Sequence, residues 1–418
     1  TVLLRSDGTA VACGDNDEGQ CNIPALVAGL TYTQVSAGMC HTVLLRSDGT
    51  VAAFGDNAYG QCDVPALEGG VAYTHVAAGG YHTVLLRSDG TVAACGQNGD
   101  GQCDVLALEG GVTYTHVAAG GYHTVLLRSD GTVAACGCNE SGQCDIPAPR
   151  AGQTYVQGAA GKSHTVLLRS DGTAVACGCN WWSQCVIPAL GAGQTYTQVA
   201  AGESHTVLLR SDGTAVASGR NVYLQCHLPA LDAGQNYVQV AAGNGHTVLL
   251  RSDGTAVACG RNSSGQCDIP APDPGLFYTH LSAGGTLRGG SHTTLLRTDG
   301  TVVACGYNEF GQCDVLAPDA GQRYAAQLSP TLVLQASFDG GAIRFVTLGG
   351  EERLSILAAP ATRLAEVYEQ LRADKGSGGP PLRVDSVLPG GRLLSGAPRE
   401  ETVASAFGLA DGAAQPQN

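Results

Sequence analysis

Seven histidines, His41, His82, His123, His164, His205, His246 and His292, recur at one place in the sequence, each directly before a short apolar run. Imidazole is the commonest metal ligand and general base near neutral pH, but a metal centre needs three or four ligands brought within coordination distance. Equivalent residues of successive repeats are held apart, so this spacing predicts a hydrogen-bonded framework role. Cysteines recur too. Cys13 with Cys21, Cys95 with Cys103 and Cys259 with Cys267 stand eight apart, and Cys-Gly-Cys occurs at Cys136 to Cys138 and Cys177 to Cys179. No Cys-x-x-Cys pair accompanies them, and Phe54 and Ser218 replace the first cysteine in two units, which argues against zinc or dithiol chemistry. The thiols read as small, buried, reduced apolar side chains. A third pattern, Ser-Asp-Gly after an arginine, could suggest a nucleophile with a carboxylate relay, but it occurs in every unit, where Asp and Gly have a backbone task in a turn. No catalytic, cofactor-binding or metal-ligating residue is assigned.

The elements that carry these residues follow from the repeat. The aspartate of Ser-Asp-Gly-Thr, or Thr-Asp-Gly-Thr, stands at 7, 48, 89, 130, 171, 212, 253 and 299, giving six intervals of 41 and one of 46 around an insertion at Gly285 to Gly290. Eight units therefore fill about the first 328 positions. In the unit from His82 to Tyr122, HTVLL, Ser88-Asp89-Gly90 and TVAAC predict a tight hairpin with Asp-Gly supplying positive φ, and YTHVA at 114 to 118 predicts a further strand. Such a small sheet cannot bury its own faces. Neighbouring units must stack, and radial closure removes the exposed ends.

Composition agrees with an all-β chain: 60 glycines and 17 prolines without a three-residue period mark many short strands and turns. Acidic residues outnumber basic ones 36 to 22, and the charge of −14 disfavours nucleic acid and anionic membrane surfaces. No apolar run approaches the roughly 20 residues of a spanning helix. Thr1 opens inside a strand-like TVLL with neither initiator Met nor export signal, so the chain is expected to begin inside a longer protein. Seventeen cysteines, an odd number, then suit the cytoplasm, or cytoplasm and nucleus, better than secretion.

The pattern G-x-x-H-T-V-L-L-x-S-D-G-T-V-x-x-x-G-x-N-x-x-G-Q resembles the repeat of the regulator of chromosome condensation family over about three quarters of the chain. The resemblance implies a seven- or eight-bladed β-propeller of about 41-residue repeats across 1–330. Cysteines such as Cys95 and Cys136 stand where that family has a bulky aromatic, and Cys103 and Cys144 where it has Leu. The short unit resembles bacterial members and propeller-type β-lactamase inhibitors. Thr331 to Leu334 with Asp339-Gly340 echoes TVLL and DG of the repeat and is expected to complete the blade begun at Thr1.

From about residue 343 the period changes. Ile343 to Leu348 and Arg353 to Ala358 predict a hairpin, and Leu364, Val367, Tyr368 and Leu371 fall on one helical face. With VLPGGRLLS this order resembles a ubiquitin-like β-grasp domain, a small α+β unit at 331–410, followed by a disordered tail at 411–418. The C-terminus lacks the Gly-Gly of a conjugated tag.

Function is sought where the repeat breaks. Trp181 and Trp182, the only tryptophans, take the place of a polar pair in the G-x-N-x-x-G turn, and Ser183 replaces its glycine. Adjacent loop aromatics suit a protein-binding hot spot. The pairs Met39-Cys40, Gly80-Tyr81, Gly121-Tyr122, Lys162-Ser163, Glu203-Ser204 and Asn244-Gly245 precede the repeated histidine and should share one face with the insertion Thr286-Leu287-Arg288. The candidate partner-binding residues are thus Trp181, Trp182, Tyr81, Tyr122, Lys162, Glu203, Asn244 and Arg288. The leading expectation is a non-catalytic scaffold for proteins, without cofactor, in a ubiquitin-linked pathway, as the resemblance to propellers of ubiquitin ligases implies. The family resemblance also implies an alternative, guanine-nucleotide exchange on a small GTPase, and the short repeat implies a second, enzyme inhibition.

Overall fold

The computed structural model describes residues 1–285, 290–318 and 321–325, and the backbone of four later strands. Contacts divide the chain into two units, Thr1–Pro149 with Tyr155–Gln327, and Arg150–Thr154 with Leu328–Asn418.

In the first unit seven repeats each form one antiparallel sheet of three strands. Sheet two is Tyr32–Ala37, His41–Arg46 and Val51–Gly55; sheet three is Tyr73–Ala78, His82–Arg87 and Val92–Gly96; sheet four is Tyr114–Ala119, His123–Arg128 and Val133–Gly137. Sheet five (Tyr155–Ala160, His164–Arg169, Ala174–Gly178) and sheet six (Tyr196–Ala201, His205–Arg210, Ala215–Gly219) follow. Sheet seven (Tyr237–Ala242, His246–Arg251, Ala256–Gly260) and sheet eight (Tyr278–Gly285, Ser291–Arg297, Val302–Gly306) complete the series. The middle strand is always the buried one. A strand covered on both faces reads as a continuous apolar run rather than an alternation, and Val84 and Leu85 are accordingly inaccessible to solvent. Their partners lie in different places: Leu85 meets Val43 of sheet two, whereas Val84 meets Tyr114 and Leu126 of sheet four. The core thus lies between sheets, and each fully buried Leu or Val, worth about 1.5–3 kcal/mol, is lost if the stack opens.

The hairpin turn differs from the expected Asp-Gly pair with two positive φ angles. Only Gly49 is left-handed, at φ 80°. Gly49 N donates to Arg46 O and Arg46 N to Thr50 O, which makes a tight turn closed by one left-handed glycine. Asp48 instead accepts, through Oδ1, from Thr50 N at 2.9 Å and Thr50 Oγ1 at 2.8 Å. These hydrogen bonds favour the charged form and hold its pKa below the ordinary value.

The first and last repeats join. Val2–Leu4 and Ala10–Ala12 form a two-stranded sheet, and Tyr324 bridges Arg5 in the pairing that Tyr32 makes with Arg46 in sheet two. Ala325 N donates to Leu4 O, Ser6 N to Arg323 O, and Thr1 Oγ1 to Gln312 O. Eight sheets therefore close into a β-propeller, and the closing element is Tyr324, not Thr331 to Leu334. The reason is local: Tyr324 N donates to Gly300 O and its hydroxyl to Leu316 O, as every repeat tyrosine does to the turn glycine of the preceding sheet and to a carbonyl of the loop that leads from it. Thr331 lies outside the described residues, and Leu332–Asp339 pairs with Ala342–Thr347 instead.

The repeated histidines brace adjacent sheets. His82 Nε2 lies 3.0 Å from Thr124 Oγ1 of sheet four, and that hydroxyl donates to Gln102 O at 2.8 Å. Because the threonine proton is committed to the carbonyl, the imidazole must donate from Nε2. The same relay links His41 to Thr83 and continues through His246 to Thr293. Burial pushes these imidazoles down to about 4, and His205 to about 3. The glycine before each loop is obligatory here: a Cβ on Gly79 would sit 2.3 Å from His82 Cε1. The histidines are framework, as expected.

In the second unit, strands Leu332–Asp339, Ala342–Thr347, Glu352–Leu357 and Val384–Val387 form one mixed sheet. Ala342–Thr347 pairs antiparallel with Glu352–Leu357, the expected hairpin, while Val384–Val387 runs parallel to Leu332–Gln335. The expected helix through Leu364 and Leu371 and the tail at 411–418 lie outside the described residues. These four strands do not show a ubiquitin-like domain.

Candidate functional site

Two loops from every repeat meet at one face. The residue after the third strand donates its N–H to the loop before the histidine: Gln97 to Tyr81 O, Cys179 to Ser163 O, Arg220 to Ser204 O and Arg261 to Gly245 O, all at 2.8–2.9 Å. Neighbouring pre-histidine loops are also tied, Glu203 N to Gly243 O at 3.2 Å. The Ser-Asp-Gly hairpins point to the opposite face.

The G-x-N-x-x-G-Q-C turn has a common frame. In sheet four, Cys144 N donates to Asn139 Oδ1 at 2.8 Å, Ser141 N to Gln143 Oε1 at 3.1 Å, and Asn139 Nδ2 to Asp145 Oδ1 at 2.8 Å, with Gly142 at φ 80°. Sheets five and six keep the first two bonds, through Asn180 and Gln184 and through Asn221 and Gln225. The rest changes in both together. Val186 and His227 replace the bridging aspartate, and Ser183 and Leu224 replace the glycine while keeping positive φ, 66° and 65°. Among the described residues these are the two non-glycines with positive φ. That conformation costs an L-residue about 1–2 kcal/mol.

Apolar side chains occupy the exposed positions of these two turns. Trp181 is 91% exposed, and Trp182, Val186, Val222, Tyr223 and Leu224 are exposed too. Between them runs a stack of rings and cations. The Arg220 guanidinium lies 5.5 Å from the Trp182 ring centre and 5.7 Å from that of Tyr223, and Arg261 lies 5.8 Å from Tyr223. Cation–π contacts at this range contribute about 0.5–1 kcal/mol each when exposed. Beside the stack, Lys162 and Glu203 form an ion pair of 3.0 Å between the pre-histidine loops of sheets five and six.

Segments 32–61, 73–102, 114–143, 155–180, 196–225, 237–266 and 289–312 match the regulator of chromosome condensation (RCC1) repeat. The chain carries seven RCC1 repeats. The match in sheet five stops at residue 180, immediately before Trp181, whereas those in sheets two, three, four, six, seven and eight run through the turn glutamine. No curated protein matches the chain. Among solved structures, human WBSCR16 is similar in fold, 16% identical with a TM-score of 0.52, over 71% of this chain and 99% of its own. Yeast RCC1 (Prp20), solved with Kap60 bound, is 18% identical with a TM-score of 0.49, over 61% of this chain and 79% of its own. Prp20p of Saccharomyces cerevisiae, described with its binding to Gsp1p and histones, gives 21% and 0.47 over 57% and 72%.

The candidate residues that the structure describes fall on this RCC1-repeat face but do not form one cluster. Trp181 and Trp182 stand at its most apolar sector, with Lys162 and Glu203 alongside. Tyr81 and Tyr122 belong to the loops of sheets three and four, and Tyr81 packs edge-on against Tyr59, ring centres 5.6 Å apart. Asn244 packs beside Gly285 of sheet eight. Arg288 lies outside the described residues. Sequence reading missed Arg220, Val222, Tyr223 and Leu224. The signal was present, because Leu224 takes the turn glycine's place just as Ser183 does.

The thiols are half-buried rather than fully buried, and most of them donate to backbone carbonyls, as Cys62 Sγ does to Asp56 O at 3.4 Å. Burial pushes Cys95 up to about 12, far from a reactive thiolate. Among the described residues no cluster of His, Cys, Asp or Glu could hold a metal.

Proposed function

We propose that this propeller is a non-catalytic scaffold that binds another protein through the turns of sheets five and six. One observation carries the reading: two adjacent repeats exchange their turn glycine and aspartate together, accept left-handed non-glycine backbone, and expose Trp181, Trp182, Val222, Tyr223 and Leu224 around Arg220. Strain and exposed apolar surface both cost stability, and they concentrate where a site requires them. Trp, Tyr and Arg are the residues most enriched in interface hot spots.

The expected setting is the cytoplasm, or cytoplasm and nucleus. A ubiquitin-pathway partner is what the resemblance to ubiquitin-ligase propellers and to ubiquitin-like domains implies, and exchange on a small GTPase is the alternative that the family resemblance implies.

The test is affinity capture from a eukaryotic lysate with the full chain and with Trp181→Ala/Trp182→Ala, read by quantitative mass spectrometry. A true partner should fall at least about thirtyfold on the variant, since hot-spot truncation costs about 2 kcal/mol or more, while the unfolding midpoint stays put. Equal capture by both proteins would remove the docking reading. A nucleotide-sensitive GTPase in the lost set would favour exchange, and ubiquitin-pathway proteins the ubiquitin link.

A further inference from the structure

The charge around the exposed turns indicates what kind of segment they receive. Fourteen basic residues lie in 1–328, and eight of them are the repeat's own arginines, Arg5, Arg46, Arg87, Arg128, Arg169, Arg210, Arg251 and Arg297. Those occupy the hairpin end, where Arg87 and Arg128 stack on tyrosines of their own sheets. Of the remaining six, Lys162, Arg220 and Arg261 lie on the opposite face within three successive sheets.

The same sector has lost acid. The aspartate after Gln-Cys, present as Asp63, Asp104, Asp145, Asp268 and Asp314, is replaced only by Asn22, Val186 and His227. Turn positions that hold Asp17, Glu18, Asp100, Glu140 or Glu309 elsewhere hold Trp181, Trp182, Val222 and Tyr223 here. Among the described residues, a molecule of charge −14 therefore carries a cationic, aromatic sector on a face whose other turns hold acidic residues.

The two arginines are not consumed internally. Arg220 touches Trp182 and Tyr223 through its π face and makes no ion pair among the described residues; Arg261 stacks on Tyr223 and gives one hydrogen bond, Nε to Ser263 Oγ at 3.0 Å. A stacked guanidinium keeps its edge donors for a carboxylate, which it can hold by two parallel hydrogen bonds.

Resting on the docking reading above, we infer that the partner presents an acidic segment, with Asp or Glu side chains for Arg220 and Arg261 beside an aromatic or branched aliphatic residue for Trp181, Val222 and Leu224. A polyanion such as single-stranded nucleic acid would extend beyond the sector and meet the acidic remainder of the face. A short acidic peptide need not.

The experiment pans a random dodecapeptide display library against the full chain and, in parallel, against Arg220→Gln/Arg261→Gln. Peptides selected by the unaltered protein should be enriched in Asp and Glu next to aromatic or aliphatic residues, and the variant should lose that enrichment. Synthetic winners are then titrated by intrinsic fluorescence, because Trp181 and Trp182 are the only tryptophans and report the sector directly. Binding should weaken at least about tenfold in the variant and fall with added salt. Selection of basic or uncharged peptides, no selection at all, or tighter binding of a single-stranded oligonucleotide would overturn the inference. Failure here with lysate partners still lost from Trp181→Ala/Trp182→Ala would leave docking standing and reject only the acidic chemistry.

Discussion

Sheets four and five share a backbone and almost nothing on its surface. Both turns use an asparagine and a glutamine to bind two loop N–H groups at 2.8–3.1 Å, so the chain path is fixed identically. In sheet four a left-handed glycine and an Asn139–Asp145 bridge complete the turn at no conformational cost. Sheet five gives up both and places Trp181 in solvent, and sheet six repeats the exchange with Leu224 and His227. The lesson is a division of labour. The asparagine and glutamine that bind the turn's own N–H groups are retained in all eight turns, and positions free of that duty are the ones spent on a surface.

The widest test of that division is acid. Six buried histidines, His41, His82, His123, His164, His205 and His246, brace adjacent sheets with pKa values held at about 3 to 4. In the unfolded chain imidazole titrates near 6.5, so the unfolded state takes up protons that the folded state refuses. The stabilisation is complete above pH 6.5 and is lost as pH falls toward 4, by about 1.4 kcal/mol per pH unit for each histidine fully committed. Cooperative unfolding between about pH 6 and pH 4, followed by circular dichroism, is the expected outcome. Stability unchanged from pH 6.5 to 4.5 would show that the histidines are not the brace.

A narrower test compares a framework position with a surface one. Gly137 sits at φ 115°, and a Cβ there would lie 2.6 Å from Tyr122 O and 2.7 Å from His123 Cα. Backbone cannot yield as a flexible side chain can. Gly137→Ala should cost about 3 kcal/mol or more in urea unfolding, whereas Trp181→Ala, at a residue 91% exposed, should change stability by less than about 0.5 kcal/mol. Comparable losses from both would erase the distinction between frame and surface.

The sequence made the frame legible because its signals are local and recur in nearly every unit: Asp-Gly for the hairpin, the apolar run after the histidine for the buried strand, and a histidine whose regularity pointed to a framework role. Ring closure was misread because Thr331 to Leu334 copies the letters of a strand, while Tyr324 keeps only the tyrosine whose N–H and hydroxyl make the bonds. Two tryptophans drew attention to sheet five, yet Tyr223 looked ordinary. Its importance appears only when adjacent repeats are placed side by side and Arg220 falls between two rings. No spacing within one repeat contains that information. The assignment of 331–410 rested on a single hairpin, helix and strand with no repetition to check it, and the described strands bear out its hairpin alone.

The smallest effect cuts closest to the comparison. Ser183→Gly and Leu224→Gly restore the residue that sheet four uses at a left-handed position. Each should relieve about 1–2 kcal/mol of backbone strain and give back about 0.5–1 kcal/mol through the freedom glycine adds to the unfolded chain. The net gain is about 0.5–1 kcal/mol per site, readable as a higher urea midpoint with an unchanged slope. Binding separates the two variants. Ser183→Gly removes only a hydroxymethyl group and should leave affinity for a selected peptide within about twofold, whereas Leu224→Gly deletes an exposed apolar side chain beside Tyr223 and should weaken it about fivefold or more. A stability gain with affinity lost only at Leu224 would mean that the strain is tolerated for the surface it presents. No gain at either site would mean that these turns are as relaxed as their glycine counterparts, and the argument from strain to function would fail.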